Sequence, residues 1–374
     1  MRRFVGESAP FMPTLRLAIA GVGNCASALL QGLEYYRIQD PERTAGLLHP
    51  ELGGYRLEDL RPVAAFDVDA RKVGRPLEQA VFAAPNCTAV FSEKLPASDV
   101  VVEMGPELDG VAEHMARYPA ERAFRVAREP AVDVARRLRE SGADVLVCYL
   151  PVGSERAVRH YTEACLEAGV ALVNCVPVFI ASDPVYAVRF RAARLPIVGD
   201  DIKSQVGATI VHRALARLLA DRGVALDATY QLNTGGNTDF LNMLEQERLV
   251  SKRVSKTESV QSQLDVRLAP DQIHIGPSDY VAWQKDNKVC FIRMQWRGFG
   301  DVPMNLELRL SVEDSPNSAG VAIDAIRCAK LARDRGEGGP LEAISAVAMK
   351  SPPLQMRDVD AARQLEAWIS SAAR

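Results

Sequence analysis

The fold is decided by the stretch Leu15-Arg16-Leu17-Ala18-Ile19-Ala20-Gly21-Val22-Gly23-Asn24-Cys25-Ala26. Its first six residues predict a buried strand, and apolar residues at helical spacing follow over residues 27–36. The glycines between them predict the tight turn of a dinucleotide-binding fold, in which the pyrophosphate lies at a helix N-terminus. Ala26 stands where the third glycine of that pattern often lies. The predicted cofactor-binding residues of this turn are Gly21, Gly23, Asn24, Cys25 and Ala26.

A second strand is predicted over residues 63–66, and it ends at Asp67. A carboxylate at this position can bind the ribose hydroxyls of NAD and would repel the 2′-phosphate of NADP. The distance between the glycine turn and Asp67 exceeds the usual spacing of about 20 residues, so residues 37–60 are expected to be an insertion. We therefore predict NAD as the cofactor, with Asp67 as a further binding residue.

Strands and helices continue to alternate through the first half of the chain. Strands are predicted over residues 99–103 and 144–150, and helices over residues 121–141 and 155–168. This alternation is typical of a doubly wound parallel sheet, whose ligands bind at the carboxyl ends of the strands. Candidate neighbours of the cofactor are therefore Tyr149, Ser154 and Asn174, although each alone is more typical of a turn or a core position.

The alternation weakens after residue 199. Residues 288–294 and 305–312 alternate in polarity and predict a mixed or antiparallel sheet, residues 274–280 form a turn-rich connector, and residues 318–334 return to helical spacing. The predicted fold class is α/β, with a Rossmann-like doubly wound parallel sheet domain and a second α+β domain.

Composition excludes several classes of partner. The formal net charge of −3 gives no basic footprint for nucleic acid or an anionic membrane. No apolar run is long enough to span a bilayer, and the N-terminus lacks the apolar stretch of a secretory signal, so we expect a soluble, cytoplasmic protein. The seven cysteines are scattered and mostly lie in apolar runs, which favours reduced thiols over a disulfide framework.

A candidate phosphate site follows Lys203. Apolar residues recur there at helical spacing until Asp221-Arg222-Gly223, so a helix is predicted with four small residues in its first turns. The free N–H groups and positive dipole end of such a helix favour an anion. The equal alternative is a serine that merely caps a core helix. The four predicted phosphate-binding residues are Ser204, Gly207, Ala208 and Thr209.

Lysine is scarce in this chain but clustered. Only nine lysines accompany thirty-six arginines, and five of the nine fall within residues 203–288. An ammonium is compact and can lose its proton when its pKa is shifted, whereas a guanidinium cannot. Lys252 and Lys256 are four residues apart and would share one helical face, although a solvated basic face has the same spacing. The clustering indicates proton-transfer chemistry.

Other polar groups give weaker signals. Residues 233–239, Asn-Thr-Gly-Gly-Asn-Thr-Asp, follow a strand-like run, and an ordinary turn has the same composition. His212 and His274 are each interpreted as core residues and not as catalytic groups. The spacing of Asp200, Asp201, Asp239 and Asp314 matches no recognised metal signature, so the sequence leaves a metal ion or a monovalent cation undecided.

Five motifs together resemble the myo-inositol-1-phosphate synthase family in its shorter prokaryotic form. They are GDDIKSQVGAT, NTGGNTDFLNM, SKRVSKTESVQS, HIGPSDYVAW and EDSPNSAGV, in the order of the family. With the N-terminal segment, the resemblance covers about residues 15–355. It implies catalytic lysines at Lys252, Lys256, Lys288 and Lys350, with acidic partners at Asp201, Asp239 and Asp314. It also favours Ser154 as a cofactor neighbour and implies a homotetramer.

The resemblance further implies a domain arrangement and a reaction. Residues 1–199, completed by residues 313–374, would form the NAD-binding domain, and residues 200–312 the catalytic and oligomerisation domain. The reaction implied is an isomerisation of D-glucose 6-phosphate to 1D-myo-inositol 3-phosphate, by oxidation at C5, enolisation, aldol closure of C6 onto C1, and reduction. Gln205 and Val206 are extra relative to the longer eukaryotic pattern, so the resemblance does not assign the backbone amides that face the phosphate.

Two other functions stay open at this point. One is an NAD-dependent dehydrogenase of a sugar or polyol phosphate, which would release NADH in proportion to substrate. The other is a non-catalytic NAD-sensing regulator, in which the lysine cluster would have no role.

Overall fold

Two β-sheets form the framework of the protein. We describe them from a computed structural model, which covers residues 13–39, 42–276 and 279–371. Pro277 and Ser278 of the predicted connector lie outside the described residues. The strands are β1 (Leu15–Ala20), β2 (Leu60–Asp67), β3 (Val102–Met104), β4 (Val145–Cys148), β5 (Ala171–Asn174), β6 (Pro196–Val198), β7 (Ala225–Gly235), β8 (Ile273–Ile275), β9 (Asp279–Tyr280), β10 (Asn287–Arg297), β11 (Pro303–Glu313) and β12 (Gly339–Pro340).

Helices cover both faces of the first sheet and one face of the second. They are α1 (Asn24–Ile38), α2 (Leu77–Ala80), α3 (Val134–Ser141), α4 (Glu155–Ala168), α5 (Pro184–Ala192), α6 (Ala208–Asp221), α7 (Thr238–Asn242), α8 (Val250–Gln261), α9 (Asp314–Asp334), α10 (Glu342–Ala348) and α11 (Asp358–Ser370). Short 3-10 turns add to these, including one at Leu57–Asp59 within the predicted insertion between α1 and β2. None of the helices within the described ranges is long and apolar enough to cross a membrane.

The first sheet is parallel and has the strand order β12-β6-β5-β4-β1-β2-β3. Along β1, Leu15, Leu17 and Ile19 pack into one apolar core, while Ala18 and Ala20 pack into another on the opposite face. Side chains of a strand alternate between faces, so a nearly continuous apolar run is buried on both. The strand order reverses direction between β1 and β4, where such sheets bind their ligands. The predicted α/β class is confirmed.

The second sheet is mixed. Its order is β11-β10-β7-β8, with β9 also paired to β7; β10 is antiparallel to β7 and β11, while β8 and β9 are parallel to β7. Helices α6 and α8 contact each other and pack on this sheet. Their shared core includes Ala216, Val260 and Ile292. The prediction of a second α+β unit is confirmed.

The chain returns to the first sheet after β11. Helix α9 packs against α1, β4, β5 and β6, and β12 adds to the edge of the sheet beside β6. Helix α10 packs against α9 and α11. The residues after β11 therefore contribute to the first sheet and its core.

Some predicted elements were wrong in extent. The helix predicted over residues 121–141 is formed only at Val134–Ser141, because Pro130 lacks an N–H and disfavours the helical conformation of the residue before it. The upstream residues bond elsewhere: the N–H of Arg125 donates to Asp69, and that of Ala127 to the Val68 carbonyl. The strand predicted at residues 99–103 covers only Val102–Met104.

Candidate active site

One cavity lies where the carboxyl ends of β1 and β4 meet the helices of the second sheet. Its lining draws on both sheets and on the C-terminal segment after α10. Fourteen of the predicted site residues line it: Gly23, Asn24, Cys25, Asp201, Ser204, Gly207, Ala208, Thr209, Asp239, Lys252, Lys256, Lys288, Asp314 and Lys350. The four that are not part of this lining are Gly21, Ala26, Asp67 and Ser154.

The glycine turn after β1 has the geometry that a dinucleotide requires. Gly21 has a φ of 91°, and a Cβ there would lie 2.8 Å from the carbonyl oxygen of Tyr149. Gly23 is the N-cap of α1, and a Cβ added to it would meet open space. The first-turn amides of α1 therefore face the cavity beside a residue that has no side chain, and this arrangement fits the pyrophosphate of NAD.

The Asp67 carboxylate stabilises this turn by accepting backbone hydrogen bonds. Its Oδ2 accepts the N–H of Val22 at 2.7 Å, and its Oδ1 accepts those of Val68 and Asp69 at 2.7 and 2.8 Å. The fully buried Lys72 lies 3.8 Å from Oδ2. Asp67 thus supports the glycine turn, a role that sequence reasoning did not assign.

Two residues that were predicted to bind the cofactor are buried and do not line the cavity. Ser154 is fully buried at the N-terminus of α4, and its hydroxyl donates to the Pro151 carbonyl at 2.7 Å. Ala26 lies on α1 and is fully buried in the core. Both lie in the framework of the site, and the cavity wall at the end of β4 is made by Tyr149, Leu150, Pro151 and Val152 instead.

The phosphate segment corrects one prediction. Helix α6 begins at Ala208 with Gly207 as its N-cap, so Ser204 precedes the helix and does not open it. The reason is Asn317 on α9, which accepts the N–H of Gln205 through its carbonyl at 2.8 Å and that of Val206 through Oδ1 at 3.1 Å. These bonds hold residues 204–207 in a turn. Ser204, Gly207 and Thr209 still line one wall of the cavity.

The lysines and carboxylates of the cavity form pairs. The Lys350 ammonium lies 2.9 Å from Asp201 Oδ1, Lys288 lies 3.1 Å from Asp314, and Lys252 lies 3.7 Å from Asp239. Asp201 also accepts the Ser255 hydroxyl at 2.7 Å, and the Lys350 ammonium donates to the Ile202 carbonyl. Lys256, one turn along α8 from Lys252, is buried among these groups.

The pKa values of these lysines are shifted differently because their surroundings differ. Burial and the neighbouring ammonium groups of Lys288, Lys252 and Lys350 hold the pKa of Lys256 well below its usual value. Burial opposes the charge of Lys252, but Asp239, Asp201 and Asp314 raise its pKa above normal. Burial lowers the pKa of Lys350 against the attraction of Asp201. Two lysines on one helical face therefore have pKa values shifted in opposite directions.

A buried carboxylate that sequence reasoning missed connects two walls of the cavity. Asp286 accepts the Asn237 amide at 2.9 Å and the Ser315 hydroxyl at 3.0 Å, and both partners line the cavity. Burial raises the pKa of Asp286 to about 6. Asn237 in turn caps α7 by accepting the N–H groups of Asp239 and Phe240. The motifs NTGGNTDFLNM and EDSPNSAGV contained Asn237 and Ser315 and could have indicated them.

Several other polar residues form hydrogen bonds that stabilise the fold. Asp200 is buried and accepts the Asn174 amide and the N–H groups of Ile180 and Ser182. Lys203 is buried and donates to the Ala346 carbonyl at 2.6 Å, so it does not share the cavity with the other lysines. His212 bonds to Thr229 Oγ1 at 2.8 Å inside the second unit. Within the described residues, no group of three or more His, Cys, Asp or Glu side chains is arranged to hold a metal ion.

Comparisons with known proteins identify the relatives of this chain. The family model described as Myo-inositol-1-phosphate synthase matches residues 207–315. The inositol-3-phosphate synthase of Mycolicibacterium smegmatis is 56% identical over 95% of this chain and 98% of its own length, and that of Mycobacterium tuberculosis is 56% identical over 95% of both chains. A solved myo-inositol-1-phosphate synthase-related protein from Thermotoga maritima has the same fold, with a TM-score of 0.79 and 24% identity over 96% of this chain and 100% of its own.

Proposed function

The chain belongs to the myo-inositol-1-phosphate synthase family and is an enzyme of the inositol-3-phosphate synthase type, and from this premise we propose that it converts D-glucose 6-phosphate to 1D-myo-inositol 3-phosphate with NAD. The net reaction is an isomerisation, although it proceeds through oxidation and reduction. Such a sequence needs a site that retains its intermediates and excludes water. The cavity is lined by residues of two sheets and of a C-terminal segment, which supports this requirement.

The observation that carries the proposal is the convergence of four lysines on the glycine turn. Lys252, Lys256, Lys288 and Lys350 all line the cavity that Gly23 and Asn24 also line. When bound, NAD supplies hydride acceptance at C5 of the sugar and hydride return to the ring ketone. The turn at Gly21 and Gly23 and the first-turn amides of α1 would hold its pyrophosphate.

The substrate phosphate would bind at the N-terminus of α6. Ser204, Gly207, Ala208 and Thr209 line the cavity there, and the positive end of the helix dipole favours an anion. Two hydroxyls and the first-turn amides can donate to phosphate oxygens. The four lysines line the same cavity, so a sugar whose phosphate binds here would lie within reach of the ammonium groups.

The lysines would then divide the proton transfers by charge. Lys256, whose pKa is depressed by burial and its cationic neighbours, is the proposed acceptor of the C5 hydroxyl proton. Lys252 is held charged by three carboxylates and would stabilise the negative charge that develops on oxygen during enolisation and ring closure. Lys350 and Lys288, each paired with a carboxylate, would contribute to the same stabilisation. Lys350, whose pKa is lowered by burial, would also take part in proton transfer.

The experiment that tests this function uses glucose 6-phosphate with NAD at a small fraction of the substrate concentration. Inositol phosphate should form over many turnovers without net NADH. A sugar-phosphate dehydrogenase would instead accumulate one NADH per substrate and stop when NAD is exhausted. A protein that binds NAD but leaves glucose 6-phosphate unchanged would fit the regulatory alternative.

The proposal extends to assembly and location. Phe291 and Leu232 are register partners on the outer face of the second sheet and are 43% and 37% exposed. This exposed apolar pair supports the homotetramer that the resemblance implies, with the outer sheet face at a subunit interface. Light scattering should give a tetramer mass for the unmodified protein and a smaller one for Phe291→Lys. The seven free cysteines support a reducing, cytoplasmic location.

A further inference from the structure

The segment that carries Lys350 crosses from the first sheet to the helices of the second. Close to the cavity it is held by backbone bonds, since the N–H of Lys350 donates to the Asp201 carbonyl at 2.7 Å and Ile202 forms a bridge with Met349. Further along, residues 355–358 bond to Arg213 on α6, and the Met356 carbonyl also accepts the Gln263 amide just beyond α8. Most of those contacts converge on one side chain, Arg213.

Arg213 lies on α6 and its side chain is fully buried. Its Nη1 donates to the Ser259 carbonyl at 2.6 Å and to the Ser262 hydroxyl at 3.1 Å, at the end of α8. Its Nη2 donates to the Met356 carbonyl at 2.9 Å and to Asp358 at 2.8 Å. The planar guanidinium thus joins α6, α8 and the C-terminal segment in one network.

Two of these partners, Ser259 and Gln355, lead to residues of the site. Ser259 follows Lys256 by three residues on α8, so a shift of the helix at Ser259 moves the Lys256 ammonium. The Gln355 amide donates to the Lys350 carbonyl at 2.7 Å, while Gln355 Oε1 lies 3.5 Å from Arg213 Nη1. On its own helix, Arg213 follows Thr209 by four residues. Arg213 therefore touches the supports of the phosphate wall and of two lysines without lining the cavity itself.

A lysine could not make these bonds. The guanidinium presents five N–H donors in a fixed plane, whereas an ammonium has three donors on a flexible stem. The only carboxylate of the network, Asp358, is 38% exposed, so much of the fixation comes from the carbonyls of Ser259 and Met356. An arginine with this set of partners fixes positions more than it neutralises charge.

We propose that Arg213 is a positioning residue that holds the Lys350 segment and the Lys256 helix in register with the phosphate-binding end of α6. The proposal rests on the proposed roles of Lys256 and Lys350. Misplacing a reacting group by about 1 Å can cost roughly a hundredfold in rate, so a loss of register should affect turnover more than substrate binding.

The test is Arg213→Lys, with Arg217→Lys as the matched control. Arg217 lies one turn further along α6 and pairs with the exposed Asp221 and Asp265. Arg213→Lys should lower kcat by at least about tenfold while KM for glucose 6-phosphate stays within about twofold, and the control should leave both unchanged. Hydrogen exchange is the second readout: the amides of Lys350 and Ser351 should exchange faster, while those of β1 and β4 keep their rates.

Gln355→Ala decides the question if Arg213→Lys does not fold. It removes the bond to the Lys350 carbonyl at a partly exposed position and should reproduce the faster exchange at residues 350–351 with a smaller loss of kcat. Uniformly faster exchange, or equal losses in both arginine variants, would make Arg213 a general stabiliser and overturn the proposal. Because exchange needs no substrate, the positioning result is independent of whether glucose 6-phosphate is the substrate.

Discussion

Lys350 and Asp201 are separated by 149 residues in the chain, yet the Lys350 Nζ lies 2.9 Å from Asp201 Oδ1. The contact joins the segment after α10 to the end of the first sheet, at the wall of the cavity. The sequence around this lysine, Met349-Lys350-Ser351-Pro352-Pro353, indicates an ordinary turn. The contact with Asp201 nevertheless brings Lys350 into the site.

Lys350→Arg should lower turnover by at least about a hundredfold, the usual scale for a lost acid–base group. The guanidinium keeps the charge, but it is planar and does not release its proton. Steady-state kinetics on purified protein would measure the loss, and NAD binding should change little. Lys330→Arg, on the α9 residue that pairs with Asp334, is the control. Near-normal turnover in Lys350→Arg would mean that charge alone is sufficient there.

The rate should fall on acidification as Lys256 gains a proton. Burial and then the Lys288 ammonium are the largest causes of its depressed pKa, so Lys288→Met should raise that pKa. The acidic limb of the kcat/KM profile should therefore move to higher pH, in addition to any loss of rate. A slower enzyme with an unmoved limb would assign the limb to another group.

Thr209→Val tests the phosphate site at nearly constant shape. It removes one hydroxyl at the start of α6, so substrate affinity should fall by roughly 1–2 kcal/mol. Calorimetric titration with glucitol 6-phosphate, which has no C1 aldehyde to close on, measures this without NAD. The affinity for NAD should be unchanged. Equal binding of the sugar phosphate by both proteins would locate the phosphate elsewhere.

Asp67→Ala should weaken NAD binding well beyond the effect of the exposed control Asp99→Ala. The change removes the acceptor of the Val22 N–H, which holds the glycine turn, together with the carboxylate expected to meet the ribose. Fluorescence titration would measure the affinity of each variant for NAD. The unmodified protein should bind NAD more tightly than NADP, and the opposite order would contradict the assigned cofactor.

His212 should make the fold sensitive to acid. Burial lowers its pKa to about 4 from an ordinary value near 6.5, so the unfolded chain binds a proton in that interval and the native protein does not. Its contribution is full above pH 6.5 and is lost as the pH falls, by about 2 kcal/mol between pH 7 and pH 5. Urea unfolding of the parent and of His212→Gln should show a smaller drop in the variant. His274, expected in the core, is instead exposed on β8, so His274→Gln should behave like the parent.

Local patterns predicted the elements that depend on neighbouring residues. The strand, glycine turn and helix from Leu15 to Ile38 follow from apolar periodicity and from residues that permit a left-handed turn. The four-residue spacing of Lys252 and Lys256 predicted a shared face if the segment is helical, and the structure has both on α8. Where local signals conflicted, prediction failed: Pro130 ended a helical pattern that the apolar spacing had continued.

The sequence by itself thus determined the parallel sheet, the turn at its switch point and the scarcity of lysine that singled out the site. Only the tertiary structure decided that Asn317 holds Ser204 outside α6, that the Ser154 hydroxyl bonds to the Pro151 carbonyl, and that Asp286 joins Asn237 to Ser315. The physical reason is the separation along the chain of the residues that interact. Helix and strand periodicity are properties of adjacent residues, whereas a hydrogen bond between distant segments depends on how whole elements pack, which no local spacing encodes.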